Sequence, residues 1–575
     1  MRNKDSLPEL LCPCGSYETL KAAVAGGADA VYIGGTLFNA RMNAKNFDRD
    51  RIVNAVKECH KSGVRLYVTV NTQIYDKELK LALEYVGFLY ESGVDAIIIA
   101  DLGLAELVKK YYPKLELHAS TQMTAHNLEA VNRLFSIGYK RVVIARETSM
   151  ENLMTICQGT EAEVEMFVHG AICVCTSGQC LMSSMLGGRS GNRGECAQPC
   201  RMKYDGAYPI SLKDMCLAGH IPEIIKSGVA SLKIEGRMKS PSYVFGVTRI
   251  YRRLLDEKRA ATEKEIAELS ALFSRGGFTD GYFTGKINNS MLGVRSEKDK
   301  ADSRTAQLKI VMPEKPRLCP IETVCGEHVE LPSRLFNPQR RPAKKIIESA
   351  RFNKAAQIPD SVDYAHIYLP LSGYEAIADG VTLPPVVFDS ELYNVEKKLE
   401  KAVSKGAKRA LVCNIGQISL AEKFGLAVTV DYRMNIFNTA SANAAASLFS
   451  SAPESVLLSA ELTLPQIRDI YFNSKVLKGA IVYGRIPLML VEKPIGRTEL
   501  RDTKNARFPV MRENGRDMIL NSVPTYMAEY TSRLDEAGIE ERHFLFTTES
   551  RAEVMKVIYA YKHKQPSKEP IRRIK

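Results

Sequence analysis

Five of the thirteen cysteines fall between residues 173 and 200, in the stretch C-V-C-T-S-G-Q-C-L-M-S-S-M-L-G-G-R-S-G-N-R-G-E-C-A-Q-P-C. Cys173, Cys180, Cys196 and Cys200 are separated by six, fifteen and three residues, and the Gly, Ser and Asn between them let the chain bend around a central object. Thiolates repel, so they converge only where a disulfide or a cation takes up the charge. Disulfides belong to oxidising compartments. Zinc sites use paired Cys-x2–4-Cys knuckles, a pattern that among these four cysteines only Cys196 and Cys200 meet. An iron–sulfur cluster takes four thiolates with looser spacing in a Gly-rich wrap, and matches best. Cys175, two residues from Cys173, is a spare or a substitute ligand. Cys59, Cys157, Cys216 and Cys413 read as small buried apolar residues.

Elements that could position these thiols lie on either side. Short apolar runs at 9–13, 30–35, 65–71, 95–101, 115–122, 141–147, 163–170 and 231–237 alternate with amphipathic stretches such as 51–62, 77–92 and 127–137. Several runs are continuously apolar (A-I-I-I-A at 96–100), as expected of parallel strands covered on both faces. Gly steps at Gly27, Gly63, Gly93 and Gly228 punctuate helix end and strand start. Eight βα units predict an α/β fold, a (β/α)8 TIM-like barrel. A doubly wound sheet is the alternative. The cysteines then form a Cys-rich insertion after strand 7.

Barrel chemistry sits at the strand ends. Those ends carry Cys12, Cys14, Arg41, Asn43, Asn71, Asp101, Thr121, Gln122, Arg146, Glu147, His169, Lys233, Glu235 and Arg237. Alternation in L-K-I-E-G-R puts Lys233, Glu235 and Arg237 on one face, the barrel interior, where unpaired charge is costly.

Composition bounds the class. At 575 residues the chain exceeds one ordinary core, so two or more domains are expected. The net charge of +13 and pI near 9.0 suit a polyanionic partner as well as a solvated surface. Neither a secretory leader nor a membrane-spanning run is expected, which points to the cytoplasm.

Long motifs then become familiar: E-M-F-V-H-G-A-I-C at 165–173, S-G-Q-C-L-M-S at 177–183, N-R-G-E-C-A-Q-P-C at 192–200, S-L-K-D at 211–214 and S-L-K-I-E-G-R-M-K at 231–239. With E-L-L-C-P-C-G-S at 9–16, F-N-A-R at 38–41 and N-F at 46–47, they resemble the collagenase-like peptidase family U32 over roughly residues 8–290. The resemblance returns at 479–489 and 512–523. Despite the family name, it implies a barrel carrying a 4Fe–4S cluster, with Cys173, Cys180, Cys196 and Cys200 as ligands. The best understood bacterial members hydroxylate RNA pyrimidines at the 5-position, in tRNA wobble uridine or a large-subunit rRNA cytidine, and depend on prephenate, so the resemblance implies that chemistry here. Others serve oxygen-independent ubiquinone hydroxylation. The length and second half look most like the long rRNA-type members. Cys12 and Cys14 depart from the family pattern, leaving a redox variation near the mouth open.

The second half is expected to begin with a linker or small β insert at 291–350. A second barrel-like α/β domain follows at 351–560, with strands at 366–369, 385–389, 409–414, 426–431, 455–460, 479–484, 517–521 and 544–547, and then a basic tail at 561–575. A shift of 314 residues carries Val142 onto Val456, Glu147 onto Glu461, Val168 onto Val482 and Gly170 onto Gly484, and it places Pro487 at Cys173 and Pro494 at Cys180. This echo predicts a duplicated barrel without metal ligands, positioning substrate rather than catalysing.

Three functions compete. A peptidase lacks support from His-Glu-x-x-His or Gly-x-Ser-x-Gly motifs. A non-catalytic iron–sulfur protein is the second alternative. RNA hydroxylation fits more features. Arg41, Asn71, Arg146, Lys233 and Arg237 would bind a small dicarboxylate such as prephenate. His169, Glu147 or Glu235 would move a proton, and RNA (rRNA or tRNA) would be the partner.

Overall fold

A computed structural model describes residues 7–42, 44–336, 346–472 and 475–575. Asn43, named above, lies outside them, as does part of the expected linker.

The first half closes into a barrel. Its eight strands are Glu9–Pro13, Ala30–Gly34, Arg65–Val70, Ala96–Ile99, Glu116–Ala119, Arg141–Val143, Glu163–Gly170 and Ser231–Ile234. Consecutive strands pair in parallel, and the eighth pairs with both the first and the seventh (Glu9 and Glu165 each opposite Ser231). Strand alternation sorts the side chains. Leu11, Ala30, Tyr32, Tyr67, Ala96 and Ile98 meet inside the barrel. Their neighbours Leu10, Cys12, Val31, Ile33 and Val68 enter the layer between sheet and helices.

That alternation corrects the placement of Cys12 and Cys14. Both point away from the mouth into the sheet–helix layer and are fully buried. Thr248 Oγ1 donates to Cys12 Sγ at 3.2 Å, and Cys14 Sγ approaches the Thr19 carbonyl at 3.7 Å. Cys59, Cys157, Cys216 and Cys413 are buried as expected.

Polar strand ends start the helices. Asp101 accepts from Leu104 N at 2.9 Å, Asn127 from Ala130 N and Ser149 from Asn152 N, each capping the helix that follows (Leu102–Tyr111, Leu128–Ser136, Met150–Gly159). Asp101 is therefore a cap rather than part of the mouth's chemistry.

A second closed barrel follows, with strands Ile347–Phe352, His366–Pro370, Gly380–Thr382, Arg409–Val412, Ala427–Val430, Ser455–Leu457, Leu477–Gly484 and Glu541–Phe546. The run at 385–389 is not a strand. Pro384 and Pro385 remove ladder donors, and Asp389 opens the helix Asp389–Ser404. Residues 516–520 leave the barrel for a four-stranded antiparallel sheet made with Pro487–Val491, Arg507–Glu513 and Glu499–Arg501.

The 314-residue echo is structural. Strands 141–143 and 163–170 shift onto 455–457 and 477–484, and the helix starting at Met150 onto the one starting at Leu464. In both barrels the large insertion follows strand 7. It is the cysteine segment in the first and the antiparallel sheet in the second.

The two barrels pack through matched contacts. Asn127 Nδ2 donates to Val387 O at 2.9 Å, and Asn438 Nδ2 to Ile74 O at 2.8 Å. Leu128 N donates to Asp389, and Thr439 N to Asp76. Gly103 and Gly416 lie so close to the opposite barrel that an added Cβ would fall 2.1 Å from Ser441 N and 2.3 Å from Asn127 Oδ1 respectively.

Beyond the helix Glu297–Thr305, residues 306–336 form neither helix nor strand. They run along the first barrel, bonding to His60 through Ile321 and Thr323 and to Tyr90 through Gly326. Prolines at 313, 316 and 320 withhold the donors a β insert needs. The basic tail is docked, not loose. Tyr526 N donates to Arg572 O, Leu464 N to Lys575 O, and Ile574 is buried. Among the described residues no helix is long and apolar enough to cross a membrane.

Candidate functional site

The cysteine segment folds over the mouth of the first barrel and is pinned from three sides. Glu147 accepts from Ser177 N at 2.8 Å and Ser177 Oγ at 3.0 Å. Arg201 donates to the carbonyls of Ile172 and Leu212. From the second barrel, Thr176 N and Leu181 N donate to Leu490 O and Leu488 O, both at 2.8 Å, so the segment extends the antiparallel sheet along one edge.

Beneath it lies a cavity of about 170 Å³. Cys173, Cys175, Cys180, Cys196 and Cys200 form its roof. Arg41, Asn71, Arg146, Lys233, Glu235 and Arg237 form its walls, over a floor that includes Ile98, Val143 and Phe167. Ten of the twelve sequence-predicted site residues thus meet around one space. The other two do not line it. His169 is enclosed by Tyr243, Tyr251 and Phe278, and burial pushes its imidazole down to about 3. Glu147 is spent on Ser177 and on His126 at 3.2 Å. A bulge between Phe167 and His169 breaks the alternation, so His169, at the end of its strand, does not share the inward face of Phe167.

Charge in the cavity is unbalanced. Arg41 Nη2 reaches Glu235 Oε1 at 3.1 Å. Arg237 donates to Thr69 Oγ1 at 3.3 Å and Asn39 Oδ1 at 3.0 Å, and fits because Gly34 has no side chain: a Cβ there would lie 1.9 Å from its Nη1. Arg146 stacks on Phe167 at 4.3 Å, and among the described residues its Nε has no acceptor. Three guanidinium groups therefore face the single carboxylate of Glu235, leaving two positive charges over. Burial raises the Glu235 carboxyl, but Arg41, Arg146 and Arg237 outweigh it and hold the group below the usual carboxylate range. Lys233 contributes no free charge. Its Nζ binds Glu165 at 2.7 Å, and Glu165 also binds Arg141 at 3.2 Å. Against burial, Lys233, Arg141 and His118 hold Glu165 down to about 2.

The thiols sense one another. Burial, then the thiols of Cys173, Cys180 and Cys196 against the opposing charge of Arg201, push Cys200 up to about 12. Cys180 is raised by its hydrogen bond with Cys175 and by burial, and Cys196 by burial with Cys180 and Cys173 beside it. Among the described residues no three Cys, His, Asp or Glu side chains converge tightly enough to hold a single metal ion.

Sequence reasoning missed Tyr32, Thr69, Ser120, Asn192 and Met489, which also line the cavity. Tyr32 was accessible: it is the lone polar side chain in A-V-Y-I-G and shares Ala30's inward face. Met489 comes from the second barrel and carried no local signal.

A family model described as Peptidase family U32 matches residues 15–292 and 348–495. The chain belongs to peptidase family U32. Named U32-like relatives span different activities. The chain is 41% identical over 259 residues to a 23S rRNA 5-hydroxycytidine C2501 synthase of Escherichia coli, covering 43% of this chain and 39% of that one. It is 38% identical over 278 residues to tRNA hydroxylation protein P1 of Bacillus subtilis, covering 45% and 66%. It is 35% identical over 309 residues to a collagenase of Porphyromonas gingivalis, covering 48% and 74%. The chain spans less than two thirds of the first two relatives.

Proposed function

We propose that this U32 member is an iron–sulfur RNA-modifying enzyme that hydroxylates a pyrimidine at C5, in rRNA cytidine or tRNA uridine, in the cytoplasm. The observation that carries the reading is the roof of clustered thiols over a pocket with two uncompensated guanidinium charges. Two relatives are named for 5-hydroxycytidine synthesis and tRNA hydroxylation.

Cys173, Cys180, Cys196 and Cys200 would hold a 4Fe–4S cluster. The donor set fits: four thiols share one Gly-rich roof, and burial with neighbouring thiols raises Cys180, Cys196 and Cys200, keeping protons on them that a bound cationic core would displace. When bound, the cluster supplies redox or Lewis-acid capacity at the roof. The protein's own groups do the rest. Arg146 and Arg237 suit the two carboxylates of a dicarboxylate such as prephenate, the co-substrate the family resemblance implies. Glu235, kept ionised by three arginines, can take a proton at Oε2, to which Tyr32 OH lies 3.5 Å away. The cover of the cysteine segment and Met489 limits water in the pocket. Among the described residues the second half contributes only Met489 to the cavity lining. The second barrel's own mouth is filled by the inserted sheet, where Glu513 pairs with Arg351.

A peptidase reading is favoured by the collagenase relative's name. It needs a nucleophile with a base, and among the described residues no histidine lines the cavity. The test is mass spectrometry of nucleosides from rRNA and tRNA of deletion and parent strains. Loss of 5-hydroxycytidine or 5-hydroxyuridine is expected. An unchanged profile, with gelatin cleavage by the purified protein, would reverse the assignment.

A further inference from the structure

Beside the cavity, past the end of strand 8, cations crowd around one phenyl ring. Lys239 Nζ sits 2.7 Å from the centre of the Phe273 ring, the Arg295 guanidinium 4.3 Å and that of Arg275 6.0 Å. Arg201 is near enough to Arg275 to oppose its charge. Their carboxylate supply is thin. Asp214 Oδ1 binds Arg275 at 2.7 Å, while among the described residues no carboxylate lies within ion-pair distance of Lys239 or Arg295. Among the described residues Arg295 Nε has no acceptor. The other acidic group facing Lys239 is Glu235, which Arg41 already occupies. Burial, with Arg275 and Arg295 alongside, pushes Lys239 down to about 7 against the pull of Asp214 and Glu235.

The contrast with Lys233 is informative. Lys233 is neutralised by Glu165 and belongs to the ion network inside the barrel. An aromatic face instead holds a cation in place without cancelling its charge. Cations arranged this way are oriented yet available to an anion from outside. The cluster also adjoins the cavity, since Lys239 follows two residues after the cavity-lining Arg237.

We propose that Lys239, Arg275 and Arg295, gathered on Phe273, form a clamp for the phosphate backbone of the RNA strand whose base enters the cavity. This rests on the RNA-modifying reading above and adds the surface that holds the polymer.

The test measures binding of the full-length protein to a short fluorescein-labelled single-stranded RNA of mixed sequence over a salt series at pH 6, where Lys239 is charged. Removing two phosphate contacts with Lys239→Gln/Arg295→Gln should reduce the slope of log affinity against log salt by about 1.4, at about 0.7 per contact on single strands. Lys239→Gln alone should reduce it by about 0.7, which keeps the test intact if the pair does not fold. Arg275 is left in place because its loss would strand Asp214. Lys239→Arg/Arg295→Lys should keep the wild-type slope, as should Lys397→Gln/Lys398→Gln on the second barrel's outer helix. Salt-dependent wild-type binding with an unchanged slope in the Gln variants would overturn the clamp alone. Absence of salt-dependent wild-type binding would overturn it too, and the nucleoside profile of the deletion strain would then decide the enzymatic reading separately.

Discussion

Glu165 is the keystone of the pocket floor, and Glu165→Gln is the sharpest stability test of the first barrel. Its side chain is fully buried, and it carries Lys233 at 2.7 Å and Arg141 at 3.2 Å. Arg141 keeps Glu9 and Glu163 when Glu165 is neutralised, but Lys233 is left buried without a counter-charge. The carboxyl falls from 4.5 to about 2 on folding, which at 1.36 kcal/mol per pH unit is about 3 kcal/mol. That is in line with the roughly 3–5 kcal/mol cost of breaking a buried pair. The folded-state pKa is depressed, so this stabilisation is complete above about pH 4.5 and is lost as pH falls toward about 2. Calorimetry at pH 7 should show the variant melting about 6 °C lower, at about 2 °C per kcal/mol for a large domain. The gap should narrow below pH 4.5. Glu165→Gln/Lys233→Met should lose less than the two single variants summed, because the double change removes both charges. A melting point within 1 °C of wild type at pH 7, or strict additivity, would refute the keystone role.

Four further outcomes follow from the same contacts. His169 is neutral when folded, held down to about 3, whereas an unfolded histidine titrates near 6.5. Stability is therefore lost as pH falls from about 6.5, by up to about 1.4 kcal/mol per pH unit, and urea titrations should show His169→Phe gaining on wild type between pH 7 and 5. Asn127→Ala and Asn438→Ala each remove a helix cap and an inter-barrel bond, and Asn438 also donates to the buried Asp101 carboxylate at 2.7 Å, so each should cost about 1–3 kcal/mol with Asn438→Ala the larger; protease-accessibility assays giving the reverse order would contradict this reading of the interface. Arg146→Gln should weaken prephenate binding by calorimetry about 10- to 100-fold, the loss of a charge-assisted pair, whereas unchanged affinity would remove Arg146 from the pocket's anion site. Cys175→Ser should retain bound iron, whereas Cys180→Ser should not.

Much of this was legible from local patterning. Continuous apolar runs and Gly steps located all eight strands of the first barrel, because a parallel strand buried on both faces has few other ways to look. The second barrel was harder to read. Strands 347–352 and 380–382 are short or polar at the start, while the apolar V-V-F at 386–388 follows two prolines and cannot join a ladder. At the site, alternation brought Lys233, Glu235 and Arg237 to one place, whereas position at a strand end misled at His169, because a bulge before it shifts the phase. Cys12 and Cys14 looked close to the mouth by position along strand 1, but their parity turns them outward. The inserted sheet that braces the cysteine segment depends on contacts more than 300 residues apart, which no local pattern encodes.

The account rests on the four thiols sharing one inorganic core, and the most direct measurement is iron and acid-labile sulfide in protein purified without oxygen. About four of each per chain, lost on Cys173→Ser, Cys180→Ser, Cys196→Ser or Cys200→Ser, is the predicted result. Iron-free protein, or iron retained after any of those substitutions, would contradict it.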